Sequence, residues 1–207
     1  MRSDLWASVH TERAALVEDL SSRKHLDWAA PSLCAGWDIH DVLVHLAATA
    51  TLSLSNFAAE LIAAGLRPNR IVEKQISRGR QRSASQALDA LRSAIYATAS
   101  PPQPTITRVI EIVVHGEDIR RPLKITHAYD TTPIAEALSY LSRDHRLGAK
   151  TLVDGARLVA TDADIAVGHG DLVEGPAVTL LLAASGRRVA IEELKGPGCM
   201  LLRDRTN

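Results

Sequence analysis

Residues 109–115 read Val-Ile-Glu-Ile-Val-Val-His, which places one carboxylate, Glu111, in an apolar run and a histidine, His115, four positions after it. Removing a lone carboxylate from water is costly unless something compensates its charge. On a helix, side chains four positions apart share a face, with Cβ atoms about 5–6 Å apart. If this stretch is a helix, Glu111 and His115 could therefore bind one metal ion.

A β-strand is the alternative for this stretch. Residues 106–114 are rich in β-branched side chains, and their propensity favours a strand. In a strand, Glu111 and His115 would share a face but lie roughly 13 Å apart at ~3.3 Å per residue, too far to bind one ion. Spacing alone leaves both structures open, and both of them bury Glu111.

His45 is a second histidine in an apolar run, within Val-Leu-Val-His-Leu at 42–46. With Glu111 and His115 it would complete a 2-His-1-carboxylate site that keeps open positions for water or substrate. Taken alone, a core histidine bonded to its neighbours is the commoner interpretation. Asp41, one turn earlier, could orient the imidazole or could serve the helix dipole.

Polar residues follow the apolar run at its C-terminal end. Asp118 stands three positions after His115, so it could orient that histidine, act as an extra ligand or interact with the helix end. Arg120 and Arg121 precede Pro122, a pattern typical of a structural anchor at a helix end. Binding of an anion by this arginine pair is the alternative.

Composition limits the classes of protein that the chain can belong to. Its 207 residues suffice for one domain, or for one domain and a small lobe, and 46% hydrophobic with 23% charged residues is ordinary for a soluble protein. The 24 basic residues balance the 24 acidic ones, which disfavours partners such as nucleic acid or anionic membrane. No apolar stretch approaches the ~18 residues of a membrane span.

The two cysteines, Cys34 and Cys199, lie far apart and form no Cys-x-x-Cys motif. Without a recognisable secretory leader, this usage predicts a reducing compartment, so we expect a cytoplasmic protein. No histidine partner of either cysteine can be identified from the sequence, and no serine stands in a nucleophile elbow. Serine and cysteine hydrolases are therefore not supported.

Hydrophobic periodicity, capping residues and breakers predict helices followed by a mixed segment. Ser83 and Gln86 fit a capping box, Asp38 is a good N-cap, and the basic segment 66–82 is expected to be a connection that holds at most a short helix. The predicted helices are 3–23, 38–64, 83–98, 132–146 and 177–185, and the predicted strands are 157–161, 165–167 and 199–203. The chain is thus expected to be a helical bundle followed by a small α/β lobe.

Two separated motifs resemble those of a known family. Residues 31–46, Pro-Ser-Leu-Cys-Ala-Gly-Trp-Asp-Ile-His-Asp-Val-Leu-Val-His-Leu, resemble the opening signature of the mycothiol-dependent maleylpyruvate isomerase family, a part of the DinB/YfiT-like metalloprotein superfamily. Residues 111–123 resemble its second signature. The segments 157–164, 175–176 and 186–188 resemble its small C-terminal domain, so the resemblance covers nearly the whole chain.

The resemblance implies an α+β fold, with a DinB-like four-helix bundle at 1–148 and a small α/β domain at 149–207. It favours a helix over 108–118. It also implies a divalent metal, usually zinc, bound by His45, Glu111 and His115, and mycothiol or a similar low-molecular-weight thiol as the cofactor.

The expected function is that of a metal-dependent enzyme that uses this thiol, as a thiol S-transferase or a maleylpyruvate-type isomerase. Arg120 and Arg203 are the candidates for neutralising an anionic, electrophilic substrate, with Arg121 as a further one. The expected partners are small molecules only, and the expected assembly is a monomer or a homodimer. One alternative is a non-catalytic sensor or structural metalloprotein. Another is a metal-independent helical module, which would require Glu111 to be neutral or paired with an arginine.

Overall fold

The computed structural model describes residues 4–144 and 149–206. It divides into two compact units, Asp4–His127 and the part that begins at Ala128. The expected domain boundary after residue 148 stays a prediction. Within the described residues, no helix combines the length and the apolar content that crossing a membrane requires.

The first unit is helical and is organised around four mutually packed helices. α2 packs against α5 and α6, and α1 packs against the same two helices, which closes a four-helix bundle, while α4 lies on the outside of α2. The helices are α1 Leu5–Ser21, α2 Ile39–Ala50, α3 Leu54–Ala63, α4 Pro68–Gly79, α5 Ala84–Ser93 and α6 Ile106–Arg120.

The stretch around Glu111 forms α6, so the helix prediction is confirmed and the strand alternative is wrong. Along α6, every residue except Glu111 and His115 is buried. Helices in proteins draw most of their stability from tertiary packing, and this burial outweighs the weak strand propensity of the β-branched side chains. Glu111 and His115, one turn apart on the same face, are therefore the two partly exposed residues of α6.

Capping side chains set where the other helices begin. Asp38 caps α2 by accepting a hydrogen bond from the Asp41 amide at 2.7 Å, and both bonds of the Ser83 capping box are present. The prediction of one helix over 38–64 is wrong, because α2 ends at Ala50 and Ser53 caps a new helix, α3. The basic segment 66–82 holds the twelve-residue helix α4, longer than the short helix expected there.

The second unit is an α/β lobe with a three-stranded sheet in the order β2-β1-β3. β1 pairs with β2 in antiparallel fashion and with β3 in parallel, so that Leu158 lies opposite both Val167 and Val173. Helix α9 packs against α7 and against β1. The elements are α7 Thr131–Leu141, α8 Ala149–Val153, β1 Ala156–Ala160, β2 Ala166–Gly168, β3 Asp171–Gly175, α9 Ala177–Ala184, α10 Arg188–Ile191 and α11 Gly198–Arg205.

Two predictions in the second unit need correction. Residues 199–203 were expected to form a strand, but they belong to α11, and the position beside β3 is taken by Lys195, which forms an isolated β-bridge with Glu174. A short apolar run cannot by itself separate a strand from a helix. The helix expected over 132–146 ends at Leu141, and the last two residues of that range lie outside the described part of the chain.

Candidate metal centre

Helices α2 and α6 bring His45 close to each of the other two predicted metal ligands. His45 Nε2 lies 3.7 Å from Glu111 Oε1, and the ring centroids of His45 and His115 are 4.9 Å apart with their planes at 75°. Glu111 and His115 share one face of α6, as their spacing predicted, while His45 projects from α2. His45 is therefore the residue that both predicted ligands of α6 approach, although the donor group that lies closest together among the described residues is a different one, Cys34, His115 and Asp118.

Trp37 covers this place from the loop that precedes α2. Its ring centroid lies 5.2 Å from that of His45 and 6.2 Å from that of His115, with which it is stacked. An aromatic ring packed against both imidazoles restricts their rotation and excludes water on that side. Sequence reasoning did not single out Trp37, although it stands in the motif 31–46.

Asp118 is the hydrogen-bonding partner of His115. Its carboxylate is fully buried, and Oδ2 lies 2.8 Å from His115 Nδ1. A carboxylate at this nitrogen favours the tautomer in which Nδ1 donates and Nε2 carries the lone pair. This contact fits the orienting role, and Asp118 also belongs to a group of donors that could hold a metal ion, so the role of an extra ligand stays open.

Arg108 compensates the charge of Glu111. It lies one turn earlier on α6 and is nearly buried, and its Nη1 donates to both carboxylate oxygens, at 3.2 and 3.0 Å. Arg13 adds a second guanidinium near Glu111. Burial lowers the pKa of Arg13, and the attraction of the Glu111 carboxylate raises it by a smaller amount. Sequence reasoning missed this pairing of Arg108 with Glu111 despite the i,i+3 spacing.

Cys34 is a further residue that sequence reasoning did not place here. Its Sγ, a ring nitrogen of His115 and a carboxylate oxygen of Asp118 all lie within 4.8 Å of one another, a group of donors that could hold a metal ion. The histidine partner stands on α6, too far along the chain for spacing to reveal. The available signal was the position of Cys34 inside the motif 31–46, which also contains His45.

Asp41 lies in the first turn of α2, as the dipole role requires, and in addition it pairs with an arginine that the sequence did not indicate. Its two oxygens accept hydrogen bonds from Arg80 Nε at 2.8 Å and Arg80 Nη2 at 2.6 Å. These bonds are the main cause of a pKa below the usual value for Asp41. Asp41 thus ties α2 to the end of α4, and its oxygens face Arg80 instead of His45.

The two arginines expected to meet a substrate lie in different units. Arg120 is fully buried, and its Nε donates to Asp19 Oδ2 at 2.7 Å, which ties α6 to α1. The neighbouring Arg121 pairs with Glu117 along the helix. Arg203 is exposed on α11 in the second unit. The contacts of Arg120 are those of a structural anchor, and a substrate role for either Arg120 or Arg203 stays a prediction.

Comparison with known proteins gives a family match for the N-terminal part of the chain and a fold match for nearly all of it. The family model of the mycothiol maleylpyruvate isomerase N-terminal domain matches residues 6–101. The crystal structure of the mycothiol-dependent maleylpyruvate isomerase superposes with a TM-score of 0.65 at 13% identity, over 94% of this chain and 92% of that one. A histidine-to-alanine mutant of that isomerase gives 0.64 at 12% identity with the same coverage.

Comparison with the sequences of curated proteins gives no match. At identities this low, the structural likeness shows the fold, which is the DinB-like helical arrangement with a small sheet-containing lobe that the sequence predicted. The matched residues include Cys34, Trp37 and His45, whereas α6 follows them in the chain. Residues 6–101 thus match the mycothiol maleylpyruvate isomerase N-terminal domain family, as the motif 31–46 had indicated, whereas the second motif, 111–123, lies outside the matched range.

Proposed function

We propose that the chain is a divalent-metal-dependent enzyme that uses mycothiol, or a closely similar low-molecular-weight thiol, to isomerise a cis double bond in a small anionic substrate of the maleylpyruvate type. Transfer of the thiol to an electrophilic carbon is the related reaction that the same centre would support. The observation that carries the proposal is the approach of His45 to Glu111 and to His115, in a chain whose residues 6–101 match this family's model.

The donor set fits a divalent ion such as zinc. Zinc binds imidazole nitrogen and carboxylate oxygen at about 2.0–2.2 Å, which puts two tetrahedral ligand atoms about 3.3 Å apart. The His45 Nε2–Glu111 Oε1 separation of 3.7 Å is close to that value. Three protein ligands would leave a position for the thiol, as in catalytic sites of this metal.

Each residue around the centre has a separate task. His45, Glu111 and His115 would hold the ion, Asp118 keeps a proton on His115 Nδ1 so that Nε2 faces outward, and Arg108 holds the Glu111 carboxylate in place. When bound, the ion lowers the pKa of the cofactor thiol, which can then add to the substrate's double bond, allow rotation and leave. Trp37 limits the entry of water beside the two imidazoles.

We place this activity in the cytoplasm, because a thiol cofactor works only where thiols stay reduced. Neither Cys34 nor Cys199 is in a disulfide, which is consistent with such a compartment.

One observation favours a second candidate, a metal-independent helical module. Such a module requires Glu111 to be neutralised within the protein, and Arg108 pairs with it. A carboxylate has about four lone-pair sites, however, and Arg108 reaches Glu111 through a single nitrogen, so the pair does not use up the acceptor capacity of Glu111. Metal analysis of the purified protein separates the two candidates.

The experiment that tests the proposal combines metal content with turnover. We expect the purified protein to hold a stoichiometric amount of divalent metal, and chelation to abolish thiol-dependent isomerisation of maleylpyruvate until zinc is returned. His45→Ala should lower the turnover by about a hundredfold or more, because the loss of a ligand costs at least as much as the loss of its supporting residues.

His25→Ala is the matched control, since it removes an exposed imidazole from the connector between α1 and α2 and should leave both metal content and turnover unchanged. Turnover that persists in His45→Ala would contradict the proposal. A metal-free protein would favour the helical module, and a metal-loaded protein that is inactive towards a panel of electrophiles would favour a sensor or structural metalloprotein.

A further inference from the structure

The loop before α2 holds Cys34 in a fixed position. The Cys34 amide donates to Ser32 Oγ at 3.1 Å, and the Cys34 carbonyl accepts from the Trp37 amide at 3.0 Å. Gly36 stands at the third position of this turn with φ +79°, a conformation that favours glycine. Both backbone groups of Cys34 are therefore engaged, so the turn sets the position of its Cβ atom.

The same loop is attached directly to α6 beside the candidate metal centre. The Leu33 amide donates to the backbone carbonyl of Asp118 at 3.3 Å. The residue whose carboxylate orients His115 thus also anchors the residue next to Cys34. This attachment brings the thiol to a histidine that follows it far along the chain.

The thiol lies near two groups of the candidate metal centre. Cys34 Sγ, a nitrogen of His115 and an oxygen of Asp118 are within 4.8 Å of one another. Tetrahedral zinc, with Zn–S about 2.3 Å and Zn–N about 2.0–2.1 Å, separates such atoms by about 3.5 Å, which lies within this 4.8 Å limit. Thiolate and imidazole together are a donor set typical of zinc.

We propose that Cys34 is a further protein ligand of the metal centre and binds, as a thiolate through Sγ, the ion that His115 also binds. On binding, the S–H proton passes to solvent and the sulfur electron pair is donated to the ion, with no change of oxidation state. The inference rests on the metal of the proposed function, but it is independent of any turnover.

Binding of Cys34 to the ion would affect how the cofactor thiol binds. A protein thiolate and the thiolate of mycothiol are the same kind of donor, so they compete for the ion. The cofactor must therefore displace Cys34 or bind beside it, and a variant without the cysteine should accept the external thiol more readily.

Cobalt substitution tests the inference without an activity assay. Cobalt(II) bound to any protein ligand gives visible d–d bands, whereas a cobalt–thiolate bond adds charge-transfer absorption in the near ultraviolet. We expect the wild-type protein loaded with Co²⁺ to show both features. Cys34→Ser should keep the visible bands and lose the charge-transfer absorption, and adding mycothiol should bring that absorption back.

Cys199→Ser is the matched control, because Cys199 is buried in the second unit and should not affect either feature. Zinc affinity should fall about tenfold to a hundredfold in Cys34→Ser and stay unchanged in Cys199→Ser. Visible bands without charge-transfer absorption in the wild type would overturn the inference and leave the metal centre standing. Absence of both features would overturn the metal centre itself, and charge-transfer absorption that survives in Cys34→Ser without added thiol would overturn the assignment to Cys34.

Discussion

Two carboxylates of the helical bundle, Asp41 on α2 and Glu111 on α6, are both paired with arginine, but in different ways. Arg80 gives each oxygen of Asp41 its own donor, Nε at 2.8 Å and Nη2 at 2.6 Å. Arg108 reaches both oxygens of Glu111 with the single nitrogen Nη1, at 3.2 and 3.0 Å. The Asp41 side chain is 1% exposed and the Glu111 side chain is 13% exposed.

This difference distinguishes a structural ion pair, at Asp41, from a carboxylate that can still accept a further partner, at Glu111. The two-nitrogen fork on Asp41 is the strong bidentate geometry and satisfies both oxygens in the direction of α4. Glu111 receives weaker, shared hydrogen bonds on one side, and Oε1 faces His45 Nε2 on the other. Burial of a charged group next to an arginine is therefore not sufficient to define its role, and the geometry of the pair decides it.

The largest expected effect comes from Glu111→Gln. It keeps the shape of the side chain and removes the charge that a divalent ion needs, so metal affinity should fall by about a hundredfold or more. Metal content after dialysis, measured on the purified variant, checks this. Asp41→Asn is the matched carboxylate-to-amide change and should leave metal content as in the wild type.

If both variants keep their metal, or if Asp41→Asn loses it as well, the distinction between the two carboxylates is wrong. Folding must be verified for both variants by circular dichroism, so that loss of metal from an unfolded chain is not mistaken for loss of a ligand.

Asp118→Asn should have the next largest effect on metal affinity. Its loss of affinity should be closer to that of Glu111→Gln than to that of Asp41→Asn. Asp118 is as deeply buried as Asp41, but its partner is His115 Nδ1 at 2.8 Å instead of an arginine. Loss of the carboxylate weakens the orientation and basicity of the imidazole, which costs about tenfold to a hundredfold in metal affinity. Zinc titration against a competing chelator measures the change, and an affinity equal to that of the wild type would contradict the orienting role.

The two carboxylates also show which features of the site the sequence can predict. The i,i+4 spacing placed Glu111 and His115 on one face of α6, and Asp38 marked the start of α2, because both depend on local helix geometry. The pairing of Asp41 with Arg80 and the approach of Cys34 to His115 depend on how separate segments pack. Periodicity carries no information about such contacts.

The same limit explains the errors at the ends of elements. Ser53 interrupts a run that periodicity predicted as one helix from 38 to 64, since a single capping hydroxyl is enough to begin a new helix where the chain changes direction. Residues 199–203 form a helix, and it is Lys195 that pairs with Glu174 beside β3. Which residue pairs with β3 depends on how the whole second unit folds, so the sequence pattern alone does not predict it.

The smallest expected effect is on stability and concerns the structural pair. Asp41→Asn should lower the free energy of unfolding near neutral pH by about 1–2 kcal/mol, less than for a fully buried pair because Arg80 is 58% exposed. The hydrogen bonds from Arg80 lower the pKa of Asp41 below its ordinary value of 3.8. A carboxyl group whose pKa is lowered on folding stabilises the protein above that ordinary value, and this contribution is lost as the pH falls through the lowered one.

The difference between wild type and Asp41→Asn should therefore be present in neutral buffer and shrink towards zero in acid below about pH 3.8, where the protonated carboxyl resembles the amide. Urea unfolding at several pH values measures it. Asp89→Asn is the control, because Asp89 forms an exposed i,i+3 pair with Arg92 and its loss should cost less than about 0.5 kcal/mol. A stability difference for Asp41→Asn that stays constant into acid would mean that packing of the side chain, and not its charge on Arg80, holds α2 to α4.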